Sequence, residues 1–376
     1  MIYLDNAATT FPKPQKVITE ISRCMTYYCA NPGRSGHDMA SKMASNIYET
    51  RETIAEFFNI PDPLRIIFTS NATESLNLAV KGLLRSGDHV VTTAMEHNSV
   101  LRPLKELKGI QVTVVPASKE GMVSSEDIKA SIRSSTRMVI CTHSSNVTGT
   151  ILPIREIGAV CRKFNVLFMV DASQSAGVVP IDVRENSIDL LACPGHKSLM
   201  GPQGTGFLYV RPGIALTPLK AGGTGTDSAN LNQPRYFPEG YESGTVNGPG
   251  IIGLREGIRF INEIGMSAVQ HWENHICSML QEELMNMQNV KVYGPARQSQ
   301  KTAIISFNIN GLDCETVADQ LNRRFGIAVR AGYHCAPLAH KAIGTFGTGA
   351  VRISPGIFTT EEEIIKTVNA VRKLSG

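Results

Sequence analysis

The sequence predicts an α/β protein: a large domain around a mostly parallel seven-stranded sheet, with a smaller α+β domain after it. Three observations carry that expectation. Between about residues 64 and 210, short β-rich runs alternate with helical patterns, the rhythm of a parallel sheet with crossover helices. The runs are nearly continuous in apolar residues, which marks strands covered on both faces. After "GGTGTDSA" (Gly222 to Ala229) the alternation gives way to long helical periodicity.

The elements follow in order. The strand runs are "RIIFTS", "HVVTTA", "VTVVP", "RMVICTH", "VLFMVDA", "IDLLAC" and "GFLYV". Helix candidates between them include Thr73 to Leu84 and Ile154 to Phe164. No helical pattern separates the last two runs, so the final strand is expected to run antiparallel. A helical stretch from about Ile251 to Met287 carries a break near Gly265. Strands near "VKVYG" and "TAIISFNI" and a helix "CETVADQLNRRF" complete the smaller domain, with the boundary near residue 260.

A chain of 376 residues with 42% hydrophobic and 19% charged residues has enough apolar material for a deep core. The net charge is only +4, with no Lys/Arg block, which argues against nucleic-acid binding. No apolar run approaches the roughly 18 residues of a membrane span. The start "MIYLDNAATT" lacks the basic segment and apolar core of a secretory signal, so a cytoplasmic protein is expected. The eight cysteines form no CxxC pair and read mostly as buried, reduced thiols.

The chemistry centres on "CPGHKSLMGPQGTG", where Lys197 sits among glycines and prolines just after a strand. The strand "VLFMVDASQS" ends in Asp171, whose carboxylate belongs at the sheet edge where such folds bind ligands. An isolated lysine and an acid at one crevice are what pyridoxal 5'-phosphate (PLP) requires. The lysine binds the aldehyde and the acid holds the ring nitrogen protonated. The amine must be neutral to attack, and burial of that kind shifts a lysine by up to about 3–5 units. A phosphate needs a cup as well. "FTSNATESLNLAV" offers a strand, a tight turn and a helix start at Ala72 and Thr73, although Thr73 and Glu74 also suit ordinary capping.

Taken together, "DNAATTFPKP", "NATES", "EHNS", "HSSNVTGT", "VDASQS", "PGHK", "ESGTVN" and "RAGYHCAP" resemble, in this order, the class V aminotransferase-like enzymes of fold-type I PLP dependence. Within that group the chain is most similar to group II cysteine desulfurases and selenocysteine lyases. The resemblance implies a large domain of residues 15–260 and a small one from residues 1–14 and 261–376. It implies that Lys197 carries the cofactor, Asp171 partners the ring nitrogen, Gln174 the phenolic oxygen, and His97 stacks on the ring. Ala72, Thr73 and His196 match phosphate-cup positions. Thr245 matches a residue that reaches the neighbouring subunit's phosphate, so a homodimer is implied. Arg352, Asn146, Arg330 and Ala8 match the substrate site, with Arg352 as the clamp for an α-carboxylate. His37 and Arg34 fall in a family active-site segment, with a capping or surface role as the alternative for His37. Pro194 stands where relatives often carry a phosphate-binding serine.

Cys335 selects among reactions. Its segment "VRAGYHCAPLAHKAIGTFGTG" is glycine-rich and reads as a mobile loop, the setting of an accessible rather than a packed thiol. The resemblance implies that Lys197 takes the substrate α-proton and Cys335 attacks the substrate sulfur. His97 handles the thiol proton, alanine leaves, and a persulfide on Cys335 passes to a protein acceptor. The substrate is then cysteine or selenocysteine. An aminotransferase or kynureninase-like hydrolase on the same scaffold stays open. No metal is expected: His334, Cys335 and His340 lack a fourth ligand, and His271 and His275 lack a third.

Overall fold

The computed structural model describes residues 1–32 and 36–376. A short strand, β1 (Ile2–Tyr3), leads into the helices α1 (Gln15–Tyr27) and α2 (Asp38–Phe58). His37 caps α2, its Nδ1 accepting from the Ala40 amide at 3.3 Å. Arg34 lies outside the described residues.

The predicted alternation follows: β2 (Ile66–Thr69), α3 (Ala72–Leu83), β3 (His89–Thr93), α4 (Asn98–Glu106) and β4 (Gln111–Val115). Then come α5 (Ser125–Ser131), β5 (Thr136–Thr142), α6 (Ile154–Lys163), β6 (Leu167–Asp171), β7 (Leu190–Pro194) and β8 (Gly206–Val210). These strands form one seven-stranded sheet in the order β2-β8-β7-β6-β5-β3-β4. β8 runs antiparallel to both β7 and β2, as its short connection to β7 requires, and the other pairings are parallel. Two reversals return β2 to the direction of β7. The C-terminal ends of β2, β3, β5, β6 and β7 therefore open on one edge.

The inner strands are apolar throughout because both faces are covered. Along β6, Phe168 and Val170 enter one core cluster and Met169 the other. Each such side chain contributes about 1.5–3 kcal/mol by leaving water. β4 is an edge strand and leaves Gln111, Val112 and Val114 exposed.

The helices α7 (Gly248–Ile264) and α8 (Met266–Met285) are separated by Gly265, whose φ of 88° breaks the helical path. Beyond them lie β9 (Val290–Tyr293), β10 (Ile305–Ile309), α9 (Cys314–Phe325), β11 (Ile327–Ala328) and β12 (Arg330–Gly332). The chain closes with α10 (Pro337–Ala342), β13 (Ala350–Ile353) and α11 (Glu361–Leu374). An antiparallel sheet of order β12-β13-β10-β9 and the parallel pair β1-β11 organise this part. Leu4 packs in one core cluster with Ile276, Phe307, Val351 and Val371. The N-terminal segment thus joins the C-terminal part through both strand pairing and core.

The segment around Cys335 differs from the mobile loop expected. It is a strand, a tight turn and a short helix, with Ala336, Ala339 and Ile343 in the main core. Those apolar anchors, spaced along α10, fix what the glycines alone would leave loose. Among the described residues no helix is long and apolar enough to cross a membrane.

Candidate active site

The shared strand edge opens on a cavity of about 220 Å³. β6 ends in Asp171, which is 2% exposed. Its Oδ1 accepts from the Ser173 amide at 2.9 Å, so the carboxylate is fixed to the turn that follows. Gln174, next after Ser173 in the same turn, donates from Nε2 to the Ala7 carbonyl at 3.0 Å. That bond ties the sheet edge to the segment after β1, where Ala8 also borders the cavity.

Lys197 stands three residues past β7, in a turn held by Met200 N donating to Lys197 O at 2.8 Å. The Thr10 hydroxyl donates to the same carbonyl at 3.0 Å. Desolvation pushes the Lys197 amine down to about 8; the Asp171 charge opposes this, while Arg352 and Arg330 reinforce it. A substantial neutral fraction near physiological pH is what a nucleophilic amine needs.

His97 caps α4, its Nδ1 accepting from the Ser99 amide at 3.1 Å and lying 2.9 Å from Ser99 Oγ. Burial, and next the Lys197 charge, push this imidazole down to about 4. The ring is neutral, and with Nδ1 accepting, the proton resides on Nε2. Ser99 Oγ is 2.7 Å from the Thr73 hydroxyl, which links this cap to the start of α3.

The α3 terminus is capped by Asn71 rather than Thr73: Asn71 Oδ1 accepts from Glu74 N at 3.0 Å. By position, the Ala72 and Thr73 amides have no partner inside the helix. This end sits close against β8, where a Cβ on Gly206 would lie 2.8 Å from the Asn71 backbone carbon. The absence of a side chain there lets the cup form. His196 completes it. Its carbonyl accepts from Thr9 Oγ1, Thr10 Oγ1 and Lys13 Nζ at 3.1, 3.2 and 2.8 Å, while its buried Nδ1 has no partner. Burial, then Lys197 and Lys13, push that ring down to about 4. Pro194 lines the cavity beside it.

Arg352, on β13, is 1% exposed. Nη2 pairs with Asp5 Oδ1 at 2.8 Å, Nη1 donates to the Asn146 carbonyl at 3.0 Å, and Nε is buried without a partner. Asn146 in turn donates from Nδ2 to the His334 carbonyl at 2.6 Å. Arg330, on β12, lines the cavity and lies 3.9 Å from Cys335 Sγ through Nη2. Cys335 is half-buried just outside the cavity wall, and Asn98 N donates to its carbonyl at 2.7 Å. Six of the other cysteines are buried and Cys29 is exposed.

Eleven of the residues singled out in the sequence thus border one cavity: Lys197, Asp171, Gln174, His97, Asn146, Ala72, Thr73, His196, Arg352, Arg330 and Ala8. Thr245 does not; it is exposed on the segment before α7. His275 pairs with Glu361 at 2.7 Å, and His334 Nδ1 faces His340 Nε2 at 3.3 Å. Sequence reasoning missed Asp5, Ser99 and Glu96, each of which has a partner distant along the chain: Arg352, Thr73 and Thr142. Asp5 lies in the quoted "DNAATT" and Glu96 precedes His97, so proximity to those motifs was the available signal.

Glu96 is fully buried. Its Oε1 accepts from Thr93 Oγ1 at 2.6 Å and Thr142 N at 3.0 Å, and Oε2 has no partner. Burial raises this carboxyl to about 8, with a further contribution from the Asp171 charge. A folded-state value above the unfolded one means that folding retains a proton, so stability falls as pH rises from about 4.3 towards 8. Glu96→Gln removes that dependence. Relative to the parent, the variant is expected to gain stability between pH 5 and 8, by at most about 1.4 kcal/mol per unit, in denaturant melts. A constant difference across that range would contradict a protonated Glu96.

The residues fit PLP. A desolvated amine, a carboxylate lining the same cavity, an open helix N-terminus and an orphaned imidazole nitrogen supply the contacts for an aldehyde, a ring nitrogen and a phosphate. The comparisons agree with this chemistry. The chain is 36% identical to a probable cysteine desulfurase of Methanothermobacter thermautotrophicus, over 100% of this chain and 95% of that protein. It is 34% identical to one from Pyrococcus abyssi, over 100% and 94%. The apo structure of a cysteine desulfurase from Thermococcus onnurineus NA1 superposes with a TM-score of 0.94 at 33% identity, covering 100% of this chain and 94% of that one. The sequence pattern of "Aminotransferase class-V" matches residues 2–366, and the chain belongs to that family.

Proposed function

We propose that this chain is a PLP-dependent cysteine desulfurase that converts L-cysteine to L-alanine and leaves the sulfur as a persulfide on Cys335. The observation that carries the reading is the placement of Cys335, a half-buried thiol beside Arg330, a residue that lines the same cavity as Lys197 and Asp171. When bound, the cofactor supplies an aldehyde for the amine and a ring that accepts electrons from the substrate Cα.

The residues divide the remaining work. Lys197, with an amine near neutrality, holds the cofactor and moves the α-proton. Asp171 would pair with the cofactor's protonated ring nitrogen, and Gln174 would donate to its phenolic oxygen. His97, a neutral imidazole with its proton on Nε2, would supply that proton inside the cavity. Arg352 receives the substrate carboxylate through Nε, the donor that Asp5 and Asn146 leave free. The Cys335 thiolate attacks the substrate sulfur and the carbon–sulfur bond breaks. The electron pair and a proton stay with the carbon product. Cysteine and one thiol thus give alanine and one persulfide, with no outside oxidant.

The reading extends to a large domain of residues 15–260 and a small one of residues 1–14 and 261–376, supported by the common core of Leu4 and the C-terminal strands. It extends to a homodimer in which the exposed Thr245 reaches the partner's phosphate, to a protein that accepts the persulfide sulfur, and to a cytoplasmic location. Purified protein with reductant, assayed against an amino-acid panel, tests the activity. Equimolar alanine and sulfide from cysteine are expected. Keto-acid-dependent amine transfer without sulfide would replace the reading with that of an aminotransferase.

A further inference from the structure

The turn that presents Cys335 is conformationally costly. His334 and Cys335 have φ of 49° and 57°, consecutive left-handed residues that both carry side chains. Such a turn persists only where its surroundings hold it. The His334 carbonyl receives Asn146 Nδ2 at 2.6 Å, the Cys335 carbonyl receives Asn98 N at 2.7 Å, and the His334 ring stacks on His340. Of these supports, the first leads back to the substrate site. The Asn146 carbonyl accepts from Arg352 Nη1, so one buried residue touches the carboxylate clamp with its backbone and the thiol turn with its side chain.

We infer that Asn146 is a positioning residue that couples occupancy of the Arg352 carboxylate site to the pose of Cys335. The inference rests on the proposed role of Arg352 as the carboxylate clamp. A carboxylate beside Arg352 is a stronger acceptor than a peptide carbonyl, because it is charged. Asn146 Nδ2 carries two protons, and one of them serves the His334 carbonyl; a carboxylate beside Arg352 competes for the same amide, turns it, and lengthens that bond. The strained turn loses one of its supports, and Cys335 is released towards the cavity when a substrate carboxylate is in place. Before that, the thiol is held at the rim. Substrate binding thus sets the moment at which the sulfur nucleophile becomes mobile.

Amide hydrogen exchange on the cofactor-loaded protein tests this. It is compared without ligand, with L-alanine, and with ethylamine, which presents an amine of similar size without a carboxylate. Exchange across residues 333–338 and at Asn98 is expected to rise about fivefold with alanine, the effect of one average hydrogen bond, and to stay unchanged with ethylamine. Asn146→Asp keeps the shape but removes the donor and is expected to exchange fast without any ligand, as is Asn146→Ala. Where a variant fails to fold, the alanine–ethylamine comparison on the parent protein decides. Equal exchange with both ligands, when calorimetry shows alanine bound, overturns the coupling alone. Alanine that does not bind overturns the carboxylate site, and the coupling with it.

Discussion

Lys197→Ala is expected to lower alanine formation from cysteine by at least about 10³-fold, since the variant loses the amine proposed both to hold the cofactor and to move the α-proton. The loss should be accompanied by a spectral change. The parent, loaded with cofactor, should absorb in the visible and be bleached by borohydride with a covalent adduct on Lys197; the variant should form no such adduct. The pH dependence follows from the amine's lowered value. Capture of the aldehyde by the apo-protein should accelerate with pH and level off above about 8, where the amine is neutral. Capture that continues to accelerate past pH 10 would mean that the amine is not desolvated as the structure has it.

Cys335→Ala is expected to lower sulfide production from cysteine by at least about 10²-fold while leaving cofactor binding intact, because Cys335 does not line the cavity proposed for the cofactor. Selenocysteine separates two meanings of that loss. Its carbon–selenium bond breaks more readily, so the variant should still release alanine from it. Loss of activity on both substrates, with cofactor still bound, would place Cys335 in the architecture of the site rather than in sulfur transfer. Unchanged sulfide release would remove it from the reaction.

The sheet was legible because its inner strands are covered on both faces and so read as apolar runs, Leu167–Asp171 being the plainest. The reversed β8 was legible from a missing helix. Lys197 and Asp171 stood out because each is a lone charge after an apolar strand, a pattern that packing alone does not produce. What stayed hidden depends on pairs distant along the chain. Asp5 meets Arg352 and Glu96 meets Thr142 only once the sheets assemble. The capping alternative for Thr73 does not hold, because Asn71 caps α3 and the Thr73 hydroxyl is engaged by Ser99 from another helix. The Cys335 segment read as a loop because its glycines are conspicuous, while Ala336, Ala339 and Ile343, which anchor it, are small or sparse in the sequence.

The destination of the substrate sulfur is the decisive observable. Peptide mass spectrometry after brief incubation of the cofactor-loaded protein with cysteine, in the absence of reductant, reads this directly. The peptide containing Cys335 should gain one sulfur atom that reductant removes, matched by one alanine released per subunit. Alanine released with no added sulfur on that peptide would contradict the account.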